Sequence, residues 1–98
     1  MNEEIKEMAR FDTRQCHVEV FSTELVLLGE RVYIVKSDRS NGTKNVRFAN
    51  INQLLSMLQC YRFSVHRECE DTYWGLVSKL ENEKRAKELE SLLKENKK

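Results

Sequence analysis

The sequence contains no proline and only three glycines, and each shortage excludes a class of structure. Gly29, Gly42 and Gly75 are scattered along the chain, so there is no glycine-rich loop to cradle a phosphate or an oxyanion. Because proline is absent, nothing in the second half of the chain stops a long helix once it has begun.

Long apolar runs are missing as well. No apolar stretch approaches the roughly 18 residues that span a bilayer, and the first six residues are charged where a secretory signal would be apolar. The three cysteines, Cys16, Cys60 and Cys69, leave one thiol unpaired in any disulfide scheme. We therefore expect free thiols in a reducing cytoplasm and no membrane contact.

A formal net charge of +1 over 98 residues hides an uneven distribution. Residues 31–67 carry seven bases against the single acid Asp38, whereas residues 1–30 carry seven acids against three bases. A basic middle third can steer an acidic partner toward the protein. The alternative interpretation is that the acidic first third neutralises these bases within the fold.

The length predicts one domain over residues 1–98, and the helix and strand patterns predict that it is α+β. Ile5 and Met8, three apart among charged residues, predict a short N-terminal helix over Asn2–Arg10. From Cys16 to Phe21 the apolar period changes to two, which predicts a strand.

Turn sequences predict that further strands form an antiparallel meander. Two β-rich runs, Glu24–Leu28 and Arg31–Lys36, flank Gly29-Glu30, which suits a type II′ hairpin loop. Asn41-Gly42 supplies the positive φ angles of a type I′ turn before a returning strand over Asn45–Phe48. The sequence therefore predicts three or four antiparallel strands joined without a crossover.

Helical patterns predict a cover for this sheet. Asn50 and Gln53 have the spacing of a capping box, and one apolar stripe follows them: Ile51, Leu54, Leu55, Leu58 and Tyr61. A second helix, capped by Asp71 or Thr72, carries Trp74, Val77 and Leu80. It is predicted to run to Asn96, about 38 Å at 1.5 Å per residue, so that residues 81–98 form a charged helical extension.

Cysteine and histidine side chains suggest zinc binding or nucleophilic catalysis, but their spacing in the sequence favours neither. Cys60, His66 and Cys69, with Cys16 and His17, offer the thiolate and imidazole ligands that zinc selects. Five residues separate Cys60 from His66, more than the usual spacing of about two to four. A nucleophile would need Cys69, His66 and Glu70 in a geometry that proximity in sequence does not provide. We expect no enzyme, no metal and no cofactor.

Two sets of residues suggest binding instead. Cations alternate with Tyr33 and Phe48 on neighbouring strands, a pattern typical of nucleic-acid binding, but the balanced net charge favours core aromatics beside solvated cations. Leu89, Leu92 and Leu93 restore an apolar stripe at the end of the last helix and could join two copies into a homodimer. The alternative is a fraying surface helix.

The order of elements, a short helix, a compact meander and two C-terminal helices, resembles small proteins of bacteriophages and mobile elements, including some anti-CRISPR inhibitors. The most suggestive segment runs from Tyr33–Lys36 to Asn50–Leu55. The resemblance implies a host protein or protein complex as partner, in the host cytoplasm. The acidic surface by which some such inhibitors imitate DNA is missing, because the middle third is basic.

We therefore predict a non-enzymatic protein that binds a protein partner stoichiometrically, with a small nucleic-acid-binding protein as the alternative. Arg39, Lys44 and Arg47 are the predicted electrostatic contacts. Trp74 is the predicted anchor, because exposed tryptophan and arginine dominate many interfaces.

Overall fold

A computed structural model describes residues 5–96 of the chain. Four strands precede two helices: β1 (Ile5–Asp12), β2 (Cys16–Leu27), β3 (Glu30–Arg39), β4 (Lys44–Ala49), α1 (Ile51–Tyr61) and α2 (Glu70–Asn96). The strands form one antiparallel sheet in the order β1-β2-β3-β4. The α+β class, the meander and the long C-terminal helix are confirmed.

The N-terminal helix predicted over Asn2–Arg10 is wrong. The chain from Ile5 onward forms the edge strand β1, while residues 2–4 lie outside the described part. The apparent helical spacing of Ile5 and Met8 has a different cause, because the pairing with β2 shifts by one residue between Glu7 and Ala9. Such a bulge breaks the two-residue alternation by which a strand is predicted.

Both predicted hairpins form, with different turn residues. Between β2 and β3 the positive φ angles belong to Leu28 (55°) and Gly29 (82°), the pair of left-handed residues that a type I′ turn requires, rather than to Gly29-Glu30. Between β3 and β4, Gly42 has a positive φ of 95° and donates its N–H to the carbonyl of Arg39. Asn41 keeps a negative φ, so the predicted type I′ turn is wrong there.

The helices cover one face of the sheet, which we call the inner face; the opposite face is the outer face. The core on the inner face contains Phe11, Val18, Val20, Tyr33, Val35, Leu54, Leu58, Tyr73, Leu76 and Leu80. The capping box is confirmed, since the Asn50 side chain accepts the Gln53 N–H (2.8 Å) and the Gln53 side chain accepts the Asn50 N–H (3.0 Å).

A partly buried hydrogen bond holds α2 against the sheet. The Tyr33 hydroxyl donates to the Glu83 carboxylate at 2.8 Å. Burial, together with this carboxylate, raises the pKa of Tyr33 to about 12. Beyond this contact, residues 85–94 of α2 are all exposed, which places the end of the helix outside the core.

Candidate functional site

The hairpin that joins β2 and β3 carries an exposed apolar surface. The pairing of β2 with β3 is irregular in this hairpin. Three residues separate Ser22 from Val26 on β2, whereas a single residue separates their partners, Tyr33 and Arg31, on β3. Thr23 stabilises this irregular segment, because its hydroxyl donates to the Val32 carbonyl (2.7 Å) and accepts a hydrogen bond from the Leu25 N–H (3.1 Å). The residues that follow, Leu25–Leu28, extend to the hairpin tip as one exposed apolar run.

Leu28, at the tip, is unfavourable to the free chain in two ways. Its side chain is 95% exposed, and its backbone is left-handed with a φ of 55°. An exposed leucine gains nothing from burial, and the left-handed conformation costs a residue with a Cβ roughly 1–2 kcal/mol. The next residue, Gly29, adopts a φ of 82° without this penalty.

Phe48 on β4 extends this apolar surface toward α1. Its ring is 71% exposed, and with Leu25–Leu28 it lines a shallow cavity of about 540 Å³ that ends at Asn50 and Gln53. We call Leu25–Leu28 together with Phe48 the hairpin surface. Contiguous exposed apolar side chains on a folded domain mark interaction sites more often than chance.

The rest of the outer face mixes both signs of charge. The strand registers place an apolar row, Phe21, Ile34 and Phe48, on the same face as four carboxylates and three cations. The carboxylates are those of Glu7, Asp12, Glu19 and Asp38, and the cations are Arg10, Lys36 and Lys44. Such a face favours neither a purely acidic nor a purely basic partner.

His17 links two of these carboxylates. Its Nδ1 lies 2.6 Å from Asp12 and its Nε2 lies 3.1 Å from Glu19. The hydrogen bond to Asp12 is the main cause that raises the pKa of His17 above 6.5, with Glu19 adding to it and partial burial opposing it. The imidazole therefore carries more positive charge near neutral pH than a free histidine would.

The predicted contacts Arg39 and Arg47 lie together on the inner face. In the strand registers Arg39 is opposite Cys16 and Arg47 is opposite the core residue Val35. Both arginines line a cavity of about 360 Å³ between the end of the sheet and α1, which we call the basic cleft. Its other polar residues are Gln15, Ser37, Asn45 and Tyr61.

The other two predicted contacts lie elsewhere. Lys44 is opposite Asp38 on the outer face, so the three cations that are close in sequence do not form one surface. Trp74, on α2, is 44% exposed, and the guanidinium of Arg62, directly after α1, lies 5.4 Å from its ring centroid. The buried stripe of α2 consists instead of Tyr73, Leu76 and Leu80.

Side chains considered for metal binding or nucleophilic chemistry contact separate backbone groups. The His66 ring lies 3.2 Å from the Thr13 carbonyl, and the Cys69 sulfur accepts the Asp12 N–H at 3.5 Å. Cys60 is exposed and lines the basic cleft. Within the described chain, no three histidine, cysteine or acidic side chains come together as a metal site would require.

Leu89 and its neighbours at the end of α2 face away from the core. Nine residues after Leu80, at 3.6 residues per turn, Leu89 lies about 180° around the helix from that buried residue. Leu92 and Leu93 lie on the same outward side and are exposed. The helix thus carries two apolar stripes on opposite sides, one used by the core and one open.

Sequence reasoning missed the hairpin surface because Leu25–Leu28 was assigned to an ordinary strand. The available signal was the run of four apolar residues directly before the predicted turn at Gly29, where a hairpin tip meets solvent.

No helix among residues 5–96 is long and apolar enough to cross a membrane. The chain matches no protein-family model, no curated protein and no solved structure.

Proposed function

We propose that this chain is a non-enzymatic binding protein that acts stoichiometrically on a protein partner and docks through the hairpin surface. Leu28 carries the proposal, since it combines a 95% exposed apolar side chain with a left-handed backbone. Strained backbone conformations concentrate at functional sites. A contact made only in a complex explains why a leucine occupies this position.

The composition of the surface favours a protein over a nucleic acid. Leu25–Leu28 and Phe48 present apolar area of the kind that fills the centre of a protein interface. The exposed Phe48 ring, on the same face of the sheet as Lys36 and Lys44, supports the alternative, in which bases stack on the sheet. The four carboxylates on that face oppose a phosphate backbone, so the protein partner is the stronger proposal.

The proposed role is that of a phage-type inhibitor of a host defence or regulatory factor, acting in the host cytoplasm. The resemblance that supports it loses its first element, because β1 replaces the predicted helix. The meander followed by two helices remains.

Affinity capture from cells of the source organism, followed by native mass spectrometry of the eluted complex, tests the proposal. The wild-type chain should retain a protein in a fixed molar ratio. Leu28→Asn and Phe48→Thr should each reduce capture about tenfold or more, because losing a hot-spot side chain at the centre of an interface costs about 2 kcal/mol or more.

Two matched substitutions serve as controls. Leu93→Asn removes another exposed leucine and Phe63→Thr another exposed phenylalanine, both outside the hairpin surface. Capture that is lost equally in the controls would overturn the assignment to the hairpin. Retention of nucleic acid with an affinity that falls steeply between two salt concentrations would favour the alternative.

A further inference from the structure

The basic cleft shares no lining residue with the cavity at the hairpin surface, so binding of a ligand in the cleft does not depend on the proposed function. On β3 the inner-face positions change from the buried Val35 to Ser37 and then Arg39 as the strand passes beyond α1. On β4, Asn45 and Arg47 lie beside them. The inner face of the sheet therefore becomes polar where it extends beyond the core, next to the last turn of α1.

No carboxylate lines this cleft. Asp38 precedes Arg39 in sequence, but it lies on the outer face opposite Lys44. The ion pairs among the described residues join Arg10 to Glu7 and His17 to Asp12 and Glu19. Two guanidinium groups thus face one cavity without an acidic partner in the described part of the chain.

The remaining polar side chains of the cleft can all donate hydrogen bonds. Burial raises the pKa of Tyr61 against the opposing effect of the Arg47 charge, so its hydroxyl is protonated at neutral pH. Ser37 offers a hydroxyl, and Gln15 and Asn45 offer amide N–H groups. A cavity lined by two arginines, which are charged at any physiological pH, and by several hydrogen-bond donors is suited to an oxyanion.

We propose that the basic cleft binds a phosphate monoester, held by the guanidinium groups of Arg39 and Arg47. A phosphate monoester carries roughly −1.5 to −2 charge at pH 7 on three acceptor oxygens, which matches two arginines and several donors. A carboxylate offers one charge and two oxygens. Met57, the partly buried apolar side chain of the lining, contacts the carrier of the phosphate, which is either a small metabolite or a phosphorylated side chain.

Amide NMR of the ¹⁵N-labelled chain tests the site. It is titrated with inorganic phosphate, O-phosphoserine and a phosphoserine peptide, with serine and acetate as blanks, at an ionic strength fixed with sodium chloride. Saturable shifts at residues of the cleft are expected with the three phosphates. Tighter binding of the peptide than of O-phosphoserine identifies a protein-borne phosphate, and equal binding identifies a small molecule.

Three substitutions separate a specific site from general electrostatics. Arg47→Gln and Arg47→Lys should each weaken O-phosphoserine binding about tenfold, because lysine keeps the charge but loses the two-pronged donor. Lys44→Gln removes the same charge three residues away on the outer face and should leave the affinity within about twofold.

The proposal is overturned by shifts that do not saturate, by acetate binding as tightly as phosphate, or by Lys44→Gln weakening binding as much as Arg47→Gln. Unchanged dispersion of the amide spectrum shows that each variant is folded. If Arg47→Gln unfolds the chain, Arg47→Lys decides the question.

Discussion

The two faces of this four-stranded sheet are built from the same strands and differ in what covers them. On the inner face, side chains such as Val18 and Val35 are buried against two helices, whereas Phe48 on the outer face and the hairpin beyond the core remain open. The inner face explains why the chain folds. The outer face and the hairpin carry apolar side chains that folding does not use, and these exposed side chains are the strongest support for a function by binding.

The largest expected contrast between the faces is in stability. Leu54→Ala on α1 removes a fully buried side chain and should lower the free energy of unfolding by about 2–5 kcal/mol. Phe48→Thr on the outer face should change it by no more than about 0.5 kcal/mol. Urea denaturation of both variants measures the difference; a loss of similar size in Phe48→Thr would mean that the outer face also stabilises the fold.

The hairpin tip should show the opposite sign. Leu28→Asn replaces a leucine in a left-handed conformation with a residue that tolerates it, and the resulting pair suits the type I′ turn. We expect a gain of about 1 kcal/mol in the free energy of unfolding together with weaker partner capture. A variant that is less stable than the wild type would remove the argument that Leu28 is strained.

The smallest effect concerns charge on the outer face. Because Asp12, and secondarily Glu19, hold the pKa of His17 above 6.5, Asp12→Asn should lower the midpoint of the imidazole titration followed by NMR. A raised folded-state pKa stabilises the protein below the unfolded value near 6.5, and this contribution is lost as pH rises through the folded pKa. An unchanged midpoint in Asp12→Asn would show that the contact does not persist in solution.

The sequence predicted the architecture better than it predicted the surfaces. Alternation and turn residues located three of the strands, and the capping box located the start of α1, because these patterns depend on neighbours in sequence. The bulge in β1 hid the fourth strand by shifting its alternation. A bulge of this kind cannot be predicted from neighbours in sequence, because it depends on how the strand pairs with another strand.

The candidate surfaces depend on which face each side chain takes. Arg47 and Lys44 are three residues apart, an odd number, so an extended strand points them to opposite faces. Grouping them by proximity in sequence therefore combined two surfaces. The exposure of Leu28 was missed because the turn was predicted one residue later, at Gly29-Glu30, which left Leu28 inside a strand.

The consecutive order of the strands also has a consequence for biosynthesis. Strands β2, β3 and β4 each pair with the strand before them, so the sheet can form strand by strand as the chain leaves the ribosome. Its apolar inner face, however, lacks part of its cover until Leu76 and Leu80 have been translated. A nascent chain stalled before that point would expose the apolar inner face of its sheet to water. Chaperones bind such exposed apolar surfaces.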